Sequence, residues 1–146
     1  MIYTYKATLS KAKLFMREFE VKSTMNLYKL HEFIQNELSF APDQVVCFEA
    51  FNAEGKMKNE YGLFDFGAGT MDTVTIDDVI AKEEYVLRYV FDFQNYRYIN
   101  LQLIKKSETV ERVSYPRTVA EKGHNPDQFS TVYEELVEQE PENLED

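Results

Sequence analysis

The chain has 146 residues, of which 44% are hydrophobic and 14% aromatic, with only 5 Gly and 4 Pro. That is apolar surface for one domain around one core, and it excludes a globally disordered chain. A net charge of −10 at pH 7 argues against direct nucleic-acid binding, which needs a basic footprint to neutralise phosphates.

Ile2 to Leu9 reads as a strand, with Tyr3, Tyr5, Ala7 and Leu9 on one face. Lys11-Ala12-Lys13 turns, and Leu14 to Val21 alternates again, which gives an opening hairpin. The period then changes. Leu27, Leu30, Phe33, Ile34 and Leu38 recur at helical spacing after Asn26, an N-cap residue, so a helix is expected over about residues 26–40. Val45 to Phe51 reads as a short apolar strand, and Tyr61 to Thr73, with three glycines, as irregular structure. Thr75 to Ala81 reads as a helical turn capped by Thr75, with Asp77 and Asp78 at its positive end.

Glu84 to Phe93 and Arg97 to Lys105 are the clearest strands, joined by a tight turn at Gln94-Asn95. Glu111 to Tyr115 is a candidate edge strand closed by Pro116. Asn125-Pro126 signals a helix start. Phe129, Val132, Tyr133, Leu136 and Val137 follow at amphipathic spacing, so a helix is expected over about 126–139. Residues 134–146 hold seven acids and no base, leaving 16 bases against 19 acids in the rest of the chain. The end reads as a solvated acidic tail or as an arm for a basic partner. The domain is accordingly drawn over 1–139, with an acidic flexible tail over 140–146.

One cysteine, Cys47, rules out an intrachain disulfide and a C-x-x-C site, and reads as a small buried apolar residue. With His31 and His124 as the only histidines, no metal-ligand spacing occurs, and neither metal nor cofactor is expected. No basic segment followed by an apolar one opens the chain, and no run is long enough to span a bilayer. A cytoplasmic protein without a membrane role is the expectation.

Leu30-His31-Glu32-Phe33-Ile34-Gln35 fits an L-H-x-x-I-Q pattern, Val45-Val46-Cys47-Phe48 an h-x-x-F strand, and Tyr89-Val90-Phe91-Asp92-Phe93 the first half of Y-x-Y-D-F-G-D-x-W-x-H. In order and spacing the chain resembles the plasmid ORF-3-like family of insertion-element passenger proteins over about residues 2–130. It departs from the pattern at Gln94-Asn95-Tyr96-Arg97-Tyr98, where Gly-Asp, Trp and His are replaced, and at the reduced segment Lys122 to Asp127. The resemblance implies a divergent member and a fold, more than an activity.

His31, at the edge of the apolar helix face, and Asp92, between two phenylalanines, are the candidate acid–base pair. The plainer readings are a packing histidine and an Arg88–Asp92 ion pair. Arg88, Tyr96, Arg97 and Tyr98 are candidate binding residues, with both tyrosines and Arg97 expected on the less buried sheet face. Phe64-Asp65-Phe66-Gly67 matches a kinase D-F-G only by coincidence, since the companion motifs are absent.

The expected fold is α+β, a mostly antiparallel sheet of about five to six strands with helices packed on one face. The leading functional reading is a non-enzymatic binding or interaction module with a protein partner, acting as a monomer or weak dimer. The alternatives are a small enzyme using His31 and Asp92, and a nucleic-acid-associated accessory protein of a mobile element.

Overall fold

A computed structural model describes residues 1–129. It contains β1 (Ile2–Thr8), β2 (Met16–Lys22), α1 (Leu27–Glu37), β3 (Cys47–Phe51), β4 (Met57–Tyr61), α2 (Ile76–Ala81), β5 (Val86–Asp92), β6 (Arg97–Ser107) and β7 (Arg117–Lys122). The strands form one sheet in the order β4-β3-β5-β6-β1-β2-β7, and every neighbouring pair is antiparallel. The class is α+β, but with seven strands rather than five to six.

The two extra strands lie at the sheet edges. β4 carries Lys58, Asn59 and Glu60, and a strand with one neighbour and little apolar content leaves no alternation to read. β7 follows Pro116 instead of preceding it. Glu111 to Tyr115 forms no strand, and the proline stands just ahead of β7, outside the ladder, where its missing N–H is not needed. β3 begins at Cys47, two residues later than expected.

One sheet face is the core. Tyr5, Phe19, Phe48, Leu87, Tyr89, Ile99 and Leu101 are all essentially inaccessible there, packed against Leu27, Leu30, Ile34 and Leu38 of the first helical segment and Ile76 and Val79 of α2. Both helices therefore cover the same face. Phe19 meets Phe33 edge-on at 5.0 Å, an arrangement favoured by the ring quadrupoles.

The helix starts cap each other. Asn26 Oδ1 accepts from the Lys29 amide at 2.8 Å, and Thr75 and Asp78 form a capping box at α2. The remaining first-turn amides find backbone carbonyls across the junction. Leu27 and Tyr28 donate to Val74 O and Met71 O, while Ile76 and Asp77 donate to Met25 O and Ser23 O. Asn26 and Thr75 thus face each other in a one-residue antiparallel bridge. Helix-start amides that would otherwise need water are satisfied inside the fold.

The segment after β7 crosses the open end of the core. Gly123 (φ 76°) lies so close to Leu14 that a Cβ would sit 2.2 Å from its carbonyl oxygen. Buried Arg17 stacks over Phe15 and donates to the carbonyls of Met16 and Lys122 and to Asn125 Oδ1. Asn125 donates to Glu37 O, Gln128 Oε1 accepts from the Ala41 amide, and Gln128 O accepts from Arg97. Asn125 is thus engaged as a clamp and caps no helix. Residues 125–129 are not helical, and the rest of the helix expected over 126–139, with the acidic tail, lies outside the described residues.

Two substitutions probe this layout by chemical denaturation. Ile34→Ala leaves a cavity in the centre of the core and is expected to cost about 2–5 kcal/mol. Asn26→Ala removes the cap contact to Lys29 and a longer bond to Asp72 O, and is expected to cost about 1 kcal/mol.

Candidate functional site

His31 sits on α1 at 7% exposure, facing the sheet. A 2.8 Å hydrogen bond joins its Nδ1 to Tyr89 Oη, and the Tyr28 and Tyr89 rings flank it. Burial lowers its pKa and raises that of Tyr89, so both groups are held neutral. Asp92 is occupied elsewhere. It accepts from the backbone amide and side chain of Asn95, closing the β5–β6 turn, and lies 3.8 Å from Arg97 Nη1. No described hydrogen bond or ion pair joins His31 to Asp92.

Asp92 pairs with Arg97 rather than Arg88. Arg88 lies on the polar sheet face, with its guanidinium 4.4 Å from the Phe51 ring centre and 4.5 Å from that of Tyr98. It donates to Tyr96 Oη, which donates in turn to Glu49 Oε1 at 2.5 Å. Burial and Glu49 together raise the Tyr96 pKa. Stacking and hydrogen bonds of this kind hold the cluster together, at about 0.5–2 kcal/mol per cation–π contact, while among the described residues the buried Arg88 Nε finds no hydrogen-bond acceptor. Arg88, Tyr96 and Tyr98 do come together, but Arg97 does not join them. It shares the core face with Ile99 and Leu101, 7% exposed and stacked 4.9 Å from the Phe91 ring centre.

Among the described residues no group of three or more His, Cys, Asp or Glu is placed to hold a metal ion. Glu84, wholly buried, accepts from Tyr61 Oη at 2.6 Å and from Asn59 Nδ2, tying β4 to the start of β5. Among the described residues no helix is long and apolar enough to cross a membrane.

Irregular structure is expected over Tyr61 to Thr73 and found there, but the closure of the loop from Gly62 to Met71 and the side chains it displays carry no sequence signal. The loop's ends are closed by the Met71 amide donating to Gly62 O at 2.9 Å. Met71 is fully buried, and its own carbonyl caps α1 through Tyr28. Inside the loop Asp65 Oδ1 accepts from the amides of Gly67 and Gly69, and these bonds pull its carboxyl pKa down. The Phe66 ring lies on Gly62, where a Cβ would meet it at 2.8 Å.

This ordered loop turns its apolar side chains outward. Leu63, Phe64 and Phe66 are 58%, 78% and 60% exposed, and Val45 and Phe93 beside them 71% and 51%. Together they line a groove of about 180 Å³ over buried Cys47, with Glu60 as its one charged lining residue among the described residues. Burial first, then Glu60 and Glu49, push the Cys47 thiol up to about 12, so it is no nucleophile near neutral pH. Single exposed apolar residues are ordinary, whereas here five surround one groove. The D-F-G string that carries no kinase chemistry is the turn that displays two of these rings.

A family model described as plasmid pRiA4b ORF-3-like protein matches residues 1–141. No curated protein matches the chain. Among solved structures, the crystal structure of a protein of unknown function from Methanosarcina mazei Go1 superposes with a TM-score of 0.78 at 21% identity, covering 99% of this chain and 82% of that one. At that identity the likeness shows the fold alone.

Two titrations test the geometry. With its folded pKa below the usual 6.5, His31 resists protonation in the folded state. Stability present above pH 6.5 should therefore fall as pH drops towards the folded pKa, by an excess that His31→Asn lacks. By NMR, the Asp65 carboxyl should titrate below 3.8, with the Gly67 and Gly69 amide protons moving at the same midpoint. The loop bonds are present above that midpoint and lost as pH falls through it.

Proposed function

The chain belongs to the plasmid pRiA4b ORF-3-like family, and on that footing we propose that it is a non-enzymatic binding module that docks a protein partner in the apolar groove beside Phe64 and Phe66. The observation that carries this reading is five apolar side chains, each more than half exposed, around one groove on a loop tied at both ends. An exposed phenylalanine that becomes fully covered contributes about 1.5–3 kcal/mol, so two rings can anchor a complex.

Size and chemistry both favour a protein over a small molecule. Small-molecule sites enclose roughly 300–1,000 Å³, whereas this groove offers about 180 Å³, room for one or two side chains. Catalysis would need a nucleophile or base with an activating partner. The groove lining offers a thiol held protonated and one carboxylate. The plasmid in the family description suits an accessory of a mobile element, and an acidic chain suits contact with a protein better than with nucleic acid.

Affinity capture from the source cells tests the reading. Phe64→Asp replaces the most exposed ring, so the fold should be untouched. At least one protein retained by the wild type should be lost by about tenfold or more in the variant, the loss expected when one such ring no longer packs. Identical recovery with both proteins would remove the groove as a docking surface.

A further inference from the structure

The walls of the groove are apolar, and the charge beside them is negative. Glu60 lines it together with Phe64 and Phe66, and no lysine, arginine or histidine does so among the described residues. In the β3–β4 ladder Glu60 stands directly opposite Glu49, a like-charge cross-strand pair that works against the pairing. The two carboxylates differ in what they meet. Glu49 accepts from the Tyr96 hydroxyl, which in turn accepts from Arg88. Glu60 is half-buried and takes part in no ion pair among the described residues. Its charge reaches the floor of the groove, where it and Glu49 add to burial in holding the Cys47 thiol protonated. Asp65, between Phe64 and Phe66 in the chain, adds a third carboxylate on the same loop.

What fits such a groove is an apolar stem that ends in a cation. A half-buried carboxylate gains more from an opposite charge than an exposed one does, because water and salt screen it less. Arginine meets each part of the demand: methylenes for the apolar walls, a planar guanidinium that stacks on a ring, and a fork of donors for a carboxylate. About 180 Å³ is room for one such side chain. The fold already uses the same combination nearby, where the Arg88 guanidinium lies against the Phe51 and Tyr98 rings. We infer that the groove receives an arginine side chain of the protein partner, with its stem along Phe64 and Phe66 and its guanidinium on Glu60. The inference rests on the reading of the groove as a docking surface and adds the chemistry of the partner. The net charge of −10 points the same way, since it repels a second copy of this chain and attracts a basic surface.

The test is a ¹H–¹⁵N titration of the full chain with two acetylated and amidated tripeptides, Leu-Arg-Leu and its analogue with neutral citrulline in place of arginine. The arginine peptide should shift the amides of Glu60, Gly62, Leu63 and Phe66 with a dissociation constant about tenfold below that of the citrulline peptide, the gain expected from one charge-assisted hydrogen-bonded pair. Glu60→Gln should bring the two peptides to equal affinity, and it should leave the fold in place because it removes a charge that faces Glu49. Equal binding of both peptides to the wild type would overturn the inference. So would shifts from the arginine peptide confined to other acidic residues, or no shift at all. Shifts of the same amides on concentrating the protein alone would overturn it in favour of a second copy as occupant. Affinity capture separates this failure from that of the groove. If only the arginine is wrong, Phe64→Asp still abolishes capture while Glu60→Gln leaves it unchanged. If the groove is no docking surface, neither substitution changes capture.

Discussion

Everything outside the sheet depends on how the two helices begin. Each helix start presents amides that point away from its own carbonyls, and in this fold the two starts face one another and exchange them for backbone oxygens. The exchange uses Met71 and Val74 as acceptors for α1, so the stretch that precedes α2 becomes part of the cap of a helix far away in sequence. The loop from Gly62 to Met71 inherits that rigidity. Its last residue is a buried methionine that is also a capping acceptor, and its first residue holds Met71 through a second backbone bond.

A held loop can show apolar side chains that a loose one would fold away. Leu63, Phe64 and Phe66 stay out because Asp65 engages the amides of Gly67 and Gly69 and because the Phe66 ring rests on Gly62. The polar candidates, by contrast, are spent on the fold. His31 is bound to Tyr89, Asp92 closes a turn and pairs with Arg97, and Arg88 is stacked between two rings. Polar groups that satisfy one another inside the protein offer little to a ligand, whereas exposed apolar groups have their stabilisation still to gain.

The parts of the fold legible in the sequence were those where periodicity and burial coincide. The first helix announced itself through Asn26 and the Leu27–Leu30–Ile34 spacing, and the central strands through the alternation of Leu87, Tyr89 and Phe91 with their neighbours. The edge strands were not legible, because β4 is mostly polar and β7 has one covered side at most. Arg97 was assigned to the wrong face, although its alternation with Ile99 and Leu101 already placed it with the core. The groove was invisible for a deeper reason. Phe64 and Phe66 look like any apolar residues between glycines, and what makes them a surface is the backbone bond from Met71 to Gly62 and the cap beyond it, which no local pattern encodes.

Backbone ¹⁵N relaxation of residues 63–69 tests most directly whether the helix junction holds the loop as a preformed surface. The account predicts order parameters near those of the strands, about 0.85, at Leu63, Phe64 and Phe66. Values below about 0.6 across those residues would contradict it, since a loop mobile on that timescale presents no fixed groove.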